Sequence, residues 1–273
     1  MSKKIVTVQD ISCYGQCSIT VALPVLSAFG VETAILPSAI LSTHTGGFTG
    51  FTVHDLTEEM PGIVNHWIRE GIKFDAIYTG YIGDTRQFDI INDARKTLLN
   101  DGGLLIVDPA MADWGKLYPA LDETIVEGMK KIVRTADVIL PNLTEAAFLT
   151  GRDYIERPNK EQVREIIADL SAMGPDTVIL TGVSYEENKI GAAAYCRSTD
   201  TYHEYFTERV PKNYHGTGDV FSSVAVADIV NGKSIDESLK DACEFTVKCI
   251  KNTLGDPNHD YGVKFESVIA EKK

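Results

Sequence analysis

The sequence lacks any long uninterrupted apolar stretch. No hydrophobic run approaches the roughly 20 residues that a transmembrane helix needs. The first residues pass directly into a strand pattern, without the apolar core of a signal peptide. We therefore expect a cytoplasmic protein with no membrane partner.

The sequence is also poor in positive charge. It has 26 lysine and arginine residues against 39 aspartate and glutamate residues, which gives a formal net charge of −13. This balance argues against a surface that binds nucleic acid or an anionic membrane. It does not exclude phosphate ligands, because backbone N–H groups and a metal ion can bind phosphate locally.

Cysteines are few and form no recognisable pattern. There are five, an odd number, and their spacing matches no zinc site or redox pair. Free thiols are the expected state in a cytoplasmic protein. Internal repeats, low-complexity segments and linkers are absent from the sequence as well, so residues 1–273 are expected to form a single domain.

What the sequence does contain is a regular alternation of strand and helix patterns. Buried strands are predicted at residues 4–9, 32–41, 75–79, 103–107, 137–140 and 176–180. Most of them are separated by predicted helices, at residues 16–29, 55–70, 85–100, 122–135 and 159–172. Residues 189–197 and 201–209 alternate like an antiparallel pair, and a helix follows at 235–252. This order predicts an α/β fold with a mainly parallel central sheet and helices on both faces.

Polar candidate residues follow directly after several of these strands. They are Ser12, Tyr81, Asp108, Asn142, Glu145 and Thr181. Open α/β sheets bind ligands at the carboxyl ends of their strands, so this placement favours an enzyme. Blander interpretations stay open. Ser12 could satisfy a turn, and Asp108 could cap a turn at Pro109. Asn142 and Glu145 could form a helix capping box rather than order Mg²⁺.

Residues 42–51, here called the flap, are small, polar and aromatic, and they contain three glycines. The segment has no helical period and suits a mobile loop over a site. His44 within it could contact a substrate or could simply be solvated.

A second glycine-rich stretch, Gly216-Thr217-Gly218-Asp219, immediately precedes an apolar helical run. Glycines at such a turn can direct successive N–H groups to one side, and a helix beginning near Asp219 would add its positive end. The sequence therefore predicts an anion site in which Asp219 handles a proton. The alternative is a tight turn with Asp219 as a simple N-cap.

These residues resemble a known family. Gly216-Thr217-Gly218-Asp219 resembles the signature of the ribokinase-like kinases, and Asn142-Leu143-Thr144-Glu145 resembles their Asn-x-x-Glu magnesium motif. Asp108-Pro109-Ala110-Met111 strengthens this resemblance to the ribokinase-like kinases. Four segments resemble the pyridoxal kinase branch: Ser12-Cys13-Tyr14-Gly15, Ser42-Thr43-His44-Thr45, Thr79-Gly80-Tyr81-Ile82-Gly83 and Asp108-Pro109. The similarity runs from about residue 4 to about residue 255. It implies a three-layer α/β/α ribokinase-like fold with a small flap over the site.

The resemblance also implies a reaction and its participants. The reaction is ATP-dependent phosphorylation of the 5′-hydroxymethyl group of pyridoxal, pyridoxamine or pyridoxine. ATP would be the co-substrate and Mg²⁺ the metal ion. The resemblance also allows a monovalent cation such as K⁺. The family further implies a homodimer.

The same resemblance implies a role for each matching residue. The substrate would be bound by Ser12, Thr45, Gly46 and Tyr81, and its hydroxyl deprotonated by Asp219. ATP would be lined by Asp108, Asn142, Glu145, Thr181, Thr207, Glu208, Arg209, Val210 and Thr217. Mg²⁺ would be organised through water by Glu145 and Tyr118. The anion hole would be formed by Gly216, Thr217 and Gly218.

Two sites depart from the family pattern, and a third separates this chain from one group of relatives. Ala112 stands where a glycine is common, and Thr181-Gly182 stands where some relatives carry a lysine. Kinases with dual hydroxymethylpyrimidine and pyridoxal activity tend to have a cysteine in the anion-hole tetrapeptide, whereas this chain has Thr217, which favours a dedicated pyridoxal kinase.

Other functions stay open at this point. A kinase for hydroxymethylpyrimidine or another small alcohol is the nearest alternative. A sugar kinase is disfavoured, because the N-terminal half lacks a glycine-rich, polar sugar-binding pattern. A catalytically silent ligand-binding protein on the same fold is the alternative from a different class.

Overall fold

The computed structural model of the protein describes residues 2–271. The predicted domain ends, residues 1 and 273, lie outside the described residues. Across the described part of the chain, no helix combines the length and the apolar composition that crossing a membrane requires. The five cysteines are free thiols, as predicted.

The strands form one large sheet and one small hairpin. In chain order they are β1 (Lys4–Ser12), β2 (Glu32–Leu41), β3 (Val53–Asp55), β4 (Phe74–Thr79), β5 (Leu99–Val107), β6 (Ala112–Asp113), β7 (Lys116–Leu117), β8 (Val138–Ile139), β9 (Thr177–Val183), β10 (Lys189–Cys196) and β11 (Thr201–Glu208). The large sheet has the order β11-β10-β9-β8-β5-β4-β1-β2-β3, and β6 pairs with β7. From β9 to β2 all neighbours run parallel, whereas β3 and β10 are antiparallel to theirs. The predicted mainly parallel sheet is confirmed.

Helices cover both faces of the sheet. They are α1 (Ile19–Ala28), α2 (Met60–Arg69), α3 (Arg86–Leu98), α4 (Glu123–Val133), α5 (Leu143–Thr150), α6 (Lys160–Ala172), α7 (Thr217–Val230), α8 (Ile235–Thr253) and α9 (Glu266–Ala270). One apolar core joins the sheet to α2 through α6, and a second joins it to α1, α7, α8 and α9. Side chains alternate between them along β1, since Val6 and Val8 lie in the first core and Ile5 in the second. The three-layer α/β/α architecture is therefore confirmed.

The strand order reverses between β1 and β4. The chain runs from β1 outward to β2, returns to β4 on the other side of β1, and then continues outward through β5, β8 and β9. Such a reversal leaves a crevice at the carboxyl ends of the two central strands. Asp10 and Ser12 lie at that end of β1, and Tyr81 follows β4.

Two element boundaries differ from the sequence-based prediction in ways that affect the site. β1 continues past residue 9 to Ser12, because Ile11 and Ser12 pair with Ile40 and Leu41 of β2 after an irregularity in register. Backbone pairing needs no apolar side chain, so the polar residues there concealed the strand. The other difference is that α7 begins at Thr217, two residues before the predicted start. The hairpin β6–β7, strand β3 and helix α9 were not predicted.

Candidate active site

The carboxyl ends of the central strands open into a cavity of about 650 Å³. Its lining includes these predicted residues: Ser12, Thr45, Gly46, Tyr81, Asp108, Tyr118, Asn142, Glu145, Thr181, Gly216, Thr217, Gly218 and Asp219. They come from strand ends, the flap and the start of α7, far apart in sequence. The fold thus brings together the residues predicted for substrate, metal and anion binding.

Beside this cavity lies a second, smaller cavity of about 310 Å³, here called the hollow. It is lined by Thr207, Glu208, Arg209 and Val210, the residues predicted to flank the nucleotide. The two spaces share Asn142, Thr181, Thr217 and Gly218 in their linings. A ligand in the hollow would therefore point one end at the start of α7.

The turn before α7 requires glycine at residue 216. Gly216 is the N-cap of α7 with φ of +75°, and a Cβ on it would lie 1.9 Å from the Gln16 carbonyl oxygen. Among the described residues no side chain caps the helix, and the Gly218 Cα faces open space. The first N–H groups of a helix have no intrahelical acceptor, so those of α7 can bind an anion. The alternative of Asp219 as N-cap is wrong, since Asp219 is the third helical residue.

The electrostatic setting of Asp219 suits a base at neutral pH. Burial raises the pKa of its carboxyl to about 7. The Ser18 backbone N–H lowers this pKa by hydrogen bonding, and the Asp10 carboxylate raises it. A general base is most effective when its pKa lies near the working pH.

Asp108, directly after β5, is a second acid of the same kind. Its side chain is buried, and burial raises its pKa to about 7. The Ser222 hydroxyl lowers that pKa by hydrogen bonding, whereas the Asp219 carboxylate raises it. Asp219 therefore lies close enough to Asp108 to affect the ionisation of its carboxyl group.

Asn142 and Glu145 form a helix capping box at the start of α5. The Asn142 Oδ1 accepts the N–H groups of Thr144 and Glu145 at 2.8 and 2.9 Å, and Glu145 Oε2 accepts the Asn142 N–H at 2.8 Å. The capping interpretation is confirmed. It coexists with a position in the cavity, where burial and then the charge of Asp108 raise the pKa of Glu145 well above its usual range.

The lining of the cavity is mostly acidic, which is relevant to the predicted binding of Mg²⁺. Five carboxylates face it, namely Asp10, Asp108, Asp113, Glu145 and Asp219, whereas Lys116 is the single lysine or arginine among the described residues of its lining. Within residues 2–271 no three His, Cys, Asp or Glu side chains are arranged as a ready-made metal cage. Mg²⁺ commonly retains waters and is bound by one or two carboxylates plus substrate phosphates. An acid-rich wall without a protein cage fits binding of that type.

Tyr118 lies on this acidic side of the cavity. Burial raises the pKa of its phenol well above the usual range, and the charges of Glu145 and Asp113 raise it further. The phenol therefore stays neutral and could act only as a hydrogen-bonding partner to metal-bound water.

His44 lies in the lining of the cavity, so a substrate contact there stays a prediction, whereas the solvated alternative is wrong. The imidazole is buried, its Nδ1 accepts the Gly46 N–H at 3.1 Å, and its Nε2 lies 3.0 Å from the Tyr261 carbonyl oxygen. Because Nδ1 accepts, Nε2 must carry the proton. Both nitrogens are thus engaged within the protein, and His44 attaches the flap to the C-terminal loop. Burial lowers its pKa.

Sequence reasoning missed several residues of this site. Asp10, Cys17, Asp113, Lys116 and His215 line the cavity without having been predicted to do so. Asp10 carried a usable signal, since an acid two residues before Ser12 at a strand end has the same placement as Asp108. His215 carried one too, because it directly precedes the glycine turn. The others depend on loop geometry that the pattern does not reveal.

Comparison with known proteins gives a consistent result. The model of the family described as phosphomethylpyrimidine kinase matches residues 5–263. A Bacteroides thetaiotaomicron protein provisionally named a phosphomethylpyrimidine kinase, crystallised with pyridoxal, is 37% identical with a TM-score of 0.95, covering 100% of this chain and 96% of that chain.

Two further relatives carry different names. Pyridoxal kinase from Lactobacillus plantarum is 30% identical with a TM-score of 0.89, covering 99% of this chain and 96% of that chain. The hydroxymethylpyrimidine/phosphomethylpyrimidine kinase of Bacillus subtilis is 28% identical, covering 84% of this chain and 81% of its own length. The chain therefore belongs to the phosphomethylpyrimidine kinase family and is related over nearly its whole length to pyridoxal kinase.

Proposed function

We propose that this protein transfers the γ-phosphoryl group of ATP to the 5′-hydroxymethyl group of pyridoxal, pyridoxamine or pyridoxine. The observation that carries the proposal is the position of Asp219. It is a carboxylate with a pKa of about 7, one residue after the free N–H groups of α7, where the two cavities adjoin. The related Bacteroides thetaiotaomicron protein crystallised with pyridoxal supports the choice of alcohol.

In the proposed step, the substrate hydroxyl oxygen attacks the γ-phosphorus as the bond to the bridging oxygen of ADP breaks. Asp219 takes the hydroxyl proton, which makes the weak alcohol nucleophile competent. The N–H groups at Gly216 to Gly218 hold the phosphoryl oxygens, and they need no reorganisation because the helix fixes them. The flap excludes water, which limits hydrolysis of ATP.

Metal binding is proposed on the acidic wall. Glu145 and Tyr118 would hold Mg²⁺ through water, beside Asp108 and the ATP phosphates. When bound, Mg²⁺ supplies charge neutralisation for the phosphates. Glu145 is suited to a role through water, because both its oxygens already accept backbone hydrogen bonds, from Asn142 and Met111.

Hydroxymethylpyrimidine is the second candidate substrate. The family description and the Bacillus subtilis relative favour it. Like the vitamin B6 forms, it is a flat nitrogen heterocycle with a primary alcohol. The proposed mechanism would act on either ring.

A substrate panel tests the proposal. Phosphorylation of pyridoxal, pyridoxamine, pyridoxine and hydroxymethylpyrimidine is measured side by side with ATP and Mg²⁺. We expect the three vitamin B6 forms to be phosphorylated with higher kcat/KM than hydroxymethylpyrimidine. The reverse order would assign the chain to the pyrimidine substrate, and no transfer to any of the four would refute the proposal.

A further inference from the structure

We infer that Tyr261 is a positioning residue for the candidate active site, which holds the flap and the glycine turn at residues 216–218 in fixed places relative to each other. The inference rests on the proposed function and adds to it a part of the chain that lies outside both cavities. Tyr261 lies in the loop between α8 and α9, residues 254–265, here called the C-terminal loop. No residue of this loop is among the described residues that line either cavity, so its effect on the reaction must be transmitted through other residues.

The backbone carbonyl of Tyr261 accepts hydrogen bonds from two other segments. One donor is the Gln16 N–H, 2.9 Å away, in the segment between β1 and α1. The other is His44 Nε2 of the flap, 3.0 Å away. A carbonyl oxygen has two lone pairs and can accept both bonds at once. A single atom of the C-terminal loop therefore joins the β1–α1 segment to the flap.

Gln16 connects this carbonyl to the glycine turn. The Gln16 carbonyl oxygen lies so close to Gly216 that a Cβ on that glycine would be 1.9 Å from it. The Gln16 Cβ lies against Gly262, where an added Cβ would be only 2.5 Å away. Gln16 is thus packed between the C-terminal loop and the N-cap of α7. Because closely packed segments transmit strain, movement of residues 261–262 would move the glycine turn.

His44 connects the same carbonyl to the flap backbone. Its Nδ1 accepts the Gly46 N–H at 3.1 Å, so the imidazole bridges Tyr261 and the flap. The centroid of the imidazole also lies 5.5 Å from that of the His215 ring, and His215 directly precedes Gly216. The flap is therefore attached to the C-terminal loop and also lies beside the glycine turn.

The Tyr261 ring adds a second connection to the flap. Its centroid lies 4.9 Å from that of Tyr14, and the Tyr14 ring meets Phe48 of the flap edge-on at 6.0 Å. The His259 ring lies 4.3 Å from the Tyr261 ring, and its Nδ1 lies 3.0 Å from the Gly262 carbonyl oxygen. Contacts within the C-terminal loop thus hold Tyr261 in place, and Tyr261 holds the flap.

Phosphoryl transfer requires that the flap and the glycine turn keep their spacing. In the proposed function the flap helps to bind the alcohol, through Thr45 and Gly46, whereas the glycine turn binds the phosphoryl group. A misplacement of about 1 Å between reacting groups can reduce the rate about 10²-fold. A residue that links both segments would therefore favour transfer to the alcohol over transfer to water.

Two variants of His44 test the link without changing the C-terminal loop. His44→Gln places an amide N–H near the position of Nε2 and can still donate to the Tyr261 carbonyl. His44→Asn places an amide oxygen near the position of Nδ1, so it can still accept the Gly46 N–H but does not reach Tyr261. Both variants lose any contact between the imidazole and the substrate. The difference between them therefore isolates the link to Tyr261.

The measured quantity is the ratio of ATP hydrolysis to phosphoryl transfer at saturating pyridoxal. We expect His44→Asn to raise this ratio about 10- to 100-fold, and His44→Gln to stay within a few-fold of the wild type. Partial unfolding lowers hydrolysis and transfer together and leaves the ratio unchanged, so an unchanged ratio in His44→Asn would overturn the inference. Equal ratios in the two variants, or the opposite order, would overturn it as well, because the link to Tyr261 would then make no difference.

A pair of glycine variants tests the link from the side of the C-terminal loop. Gly262 and Gly255 have φ of +144° and +89°, so alanine is strained at both positions. A Cβ on Gly262 would press on Gln16, whereas a Cβ on Gly255 would meet open space. Gly262→Ala should raise both the hydrolysis-to-transfer ratio and the KM for pyridoxal, and Gly255→Ala should change neither. An unchanged ratio in Gly262→Ala, or the same change in both variants, would contradict the inference.

The outcomes distinguish the inference from the proposed function. If the wild type phosphorylates none of the vitamin B6 forms, the proposed function fails and the inference fails with it. If the wild type transfers phosphate to pyridoxal but His44→Asn keeps the wild-type ratio, only the positioning role of Tyr261 is overturned.

Discussion

Replacing Asp219 by asparagine removes the proposed base with little change in shape. The N–H groups of the proposed anion site belong to the backbone, in a turn fixed by Gly216, so they should persist in Asp219→Asn. We therefore expect kcat to fall while the affinity for ADP stays within a few-fold of the wild type. General-base assistance contributes on the order of 10²–10⁴-fold to rate, and the loss of kcat should lie in that range.

The pH dependence provides the sharper measurement. A base with a pKa of about 7 is active when ionised, so wild-type kcat/KM for pyridoxine should rise as pH increases through about 7. The profile of kcat/KM reports groups of the free enzyme and free substrate. In Asp219→Asn the limb due to the enzyme should disappear, whereas any limb due to the ionisation of pyridoxine should remain.

The assay measures ADP release and phosphorylated product in parallel, with ADP affinity measured by calorimetry. Asp236→Asn is a suitable control, because Asp236 is an exposed acid in the first turn of α8, outside both cavities. Turnover near the wild-type rate in Asp219→Asn would refute the base assignment. A large loss of ADP affinity would show instead that Asp219 maintains the anion site.

Three further perturbations test other parts of the site. Burial holds the pKa of Asp108 at about 7, so its ionisation destabilises the fold as pH rises from about 4 to about 7. At about pH 8, the free energy of unfolding measured in urea should therefore be higher for Asp108→Asn than for the wild type, by at most about 4 kcal/mol. This difference should shrink as the pH falls to about 4. A difference that does not change with pH would contradict the assignment. Glu145→Gln should raise the Mg²⁺ concentration that gives half-maximal activity. The control Glu237→Gln, in an equivalent capping box of α8, should not change it. If neither variant changes the Mg²⁺ titration, the role of Glu145 is limited to capping α5. In Gly46→Ala the new Cβ would lie 2.4 Å from His215 Nδ1, so both the KM for pyridoxal and the rate of ATP hydrolysis without acceptor should rise. Adding His215→Ala should reverse part of both changes. An unaltered KM would mean that the flap does not pack on His215 during turnover.

The local sequence pattern was sufficient to predict elements whose structure depends mainly on neighbouring residues. The prediction for β2 matches Glu32–Leu41 at both ends, because its extended apolar run stops at a polar, glycine-containing segment. The glycine turn at residues 216–218 was also predictable, since few other residues allow such a turn before a helix.

Tertiary contacts determined what the pattern could not reveal. The polar end of β1 is a strand only because β2 pairs with it. His44 is engaged by the carbonyl of Tyr261, 217 residues away in sequence, so no local rule could have placed it. The roles implied for Ser12, Thr45 and the nucleotide-flanking residues stay predictions, although all of these residues line one of the two spaces.

The two acids that carry most of the proposed chemistry occupy the same position in their helices. Glu145 is the third helical residue of α5 and Asp219 the third of α7. In α5 the N-cap is Asn142, whose side chain takes the first free N–H groups, while Glu145 reaches back to the N-cap. In α7 the N-cap is Gly216, which has no side chain to accept them, so the first N–H groups are available for the proposed anion. Asp219 accepts the N–H of Ser18, from a different segment. The identity of the N-cap residue therefore determines which acid completes a helix cap. The other acid remains available for the proposed proton transfer from the substrate.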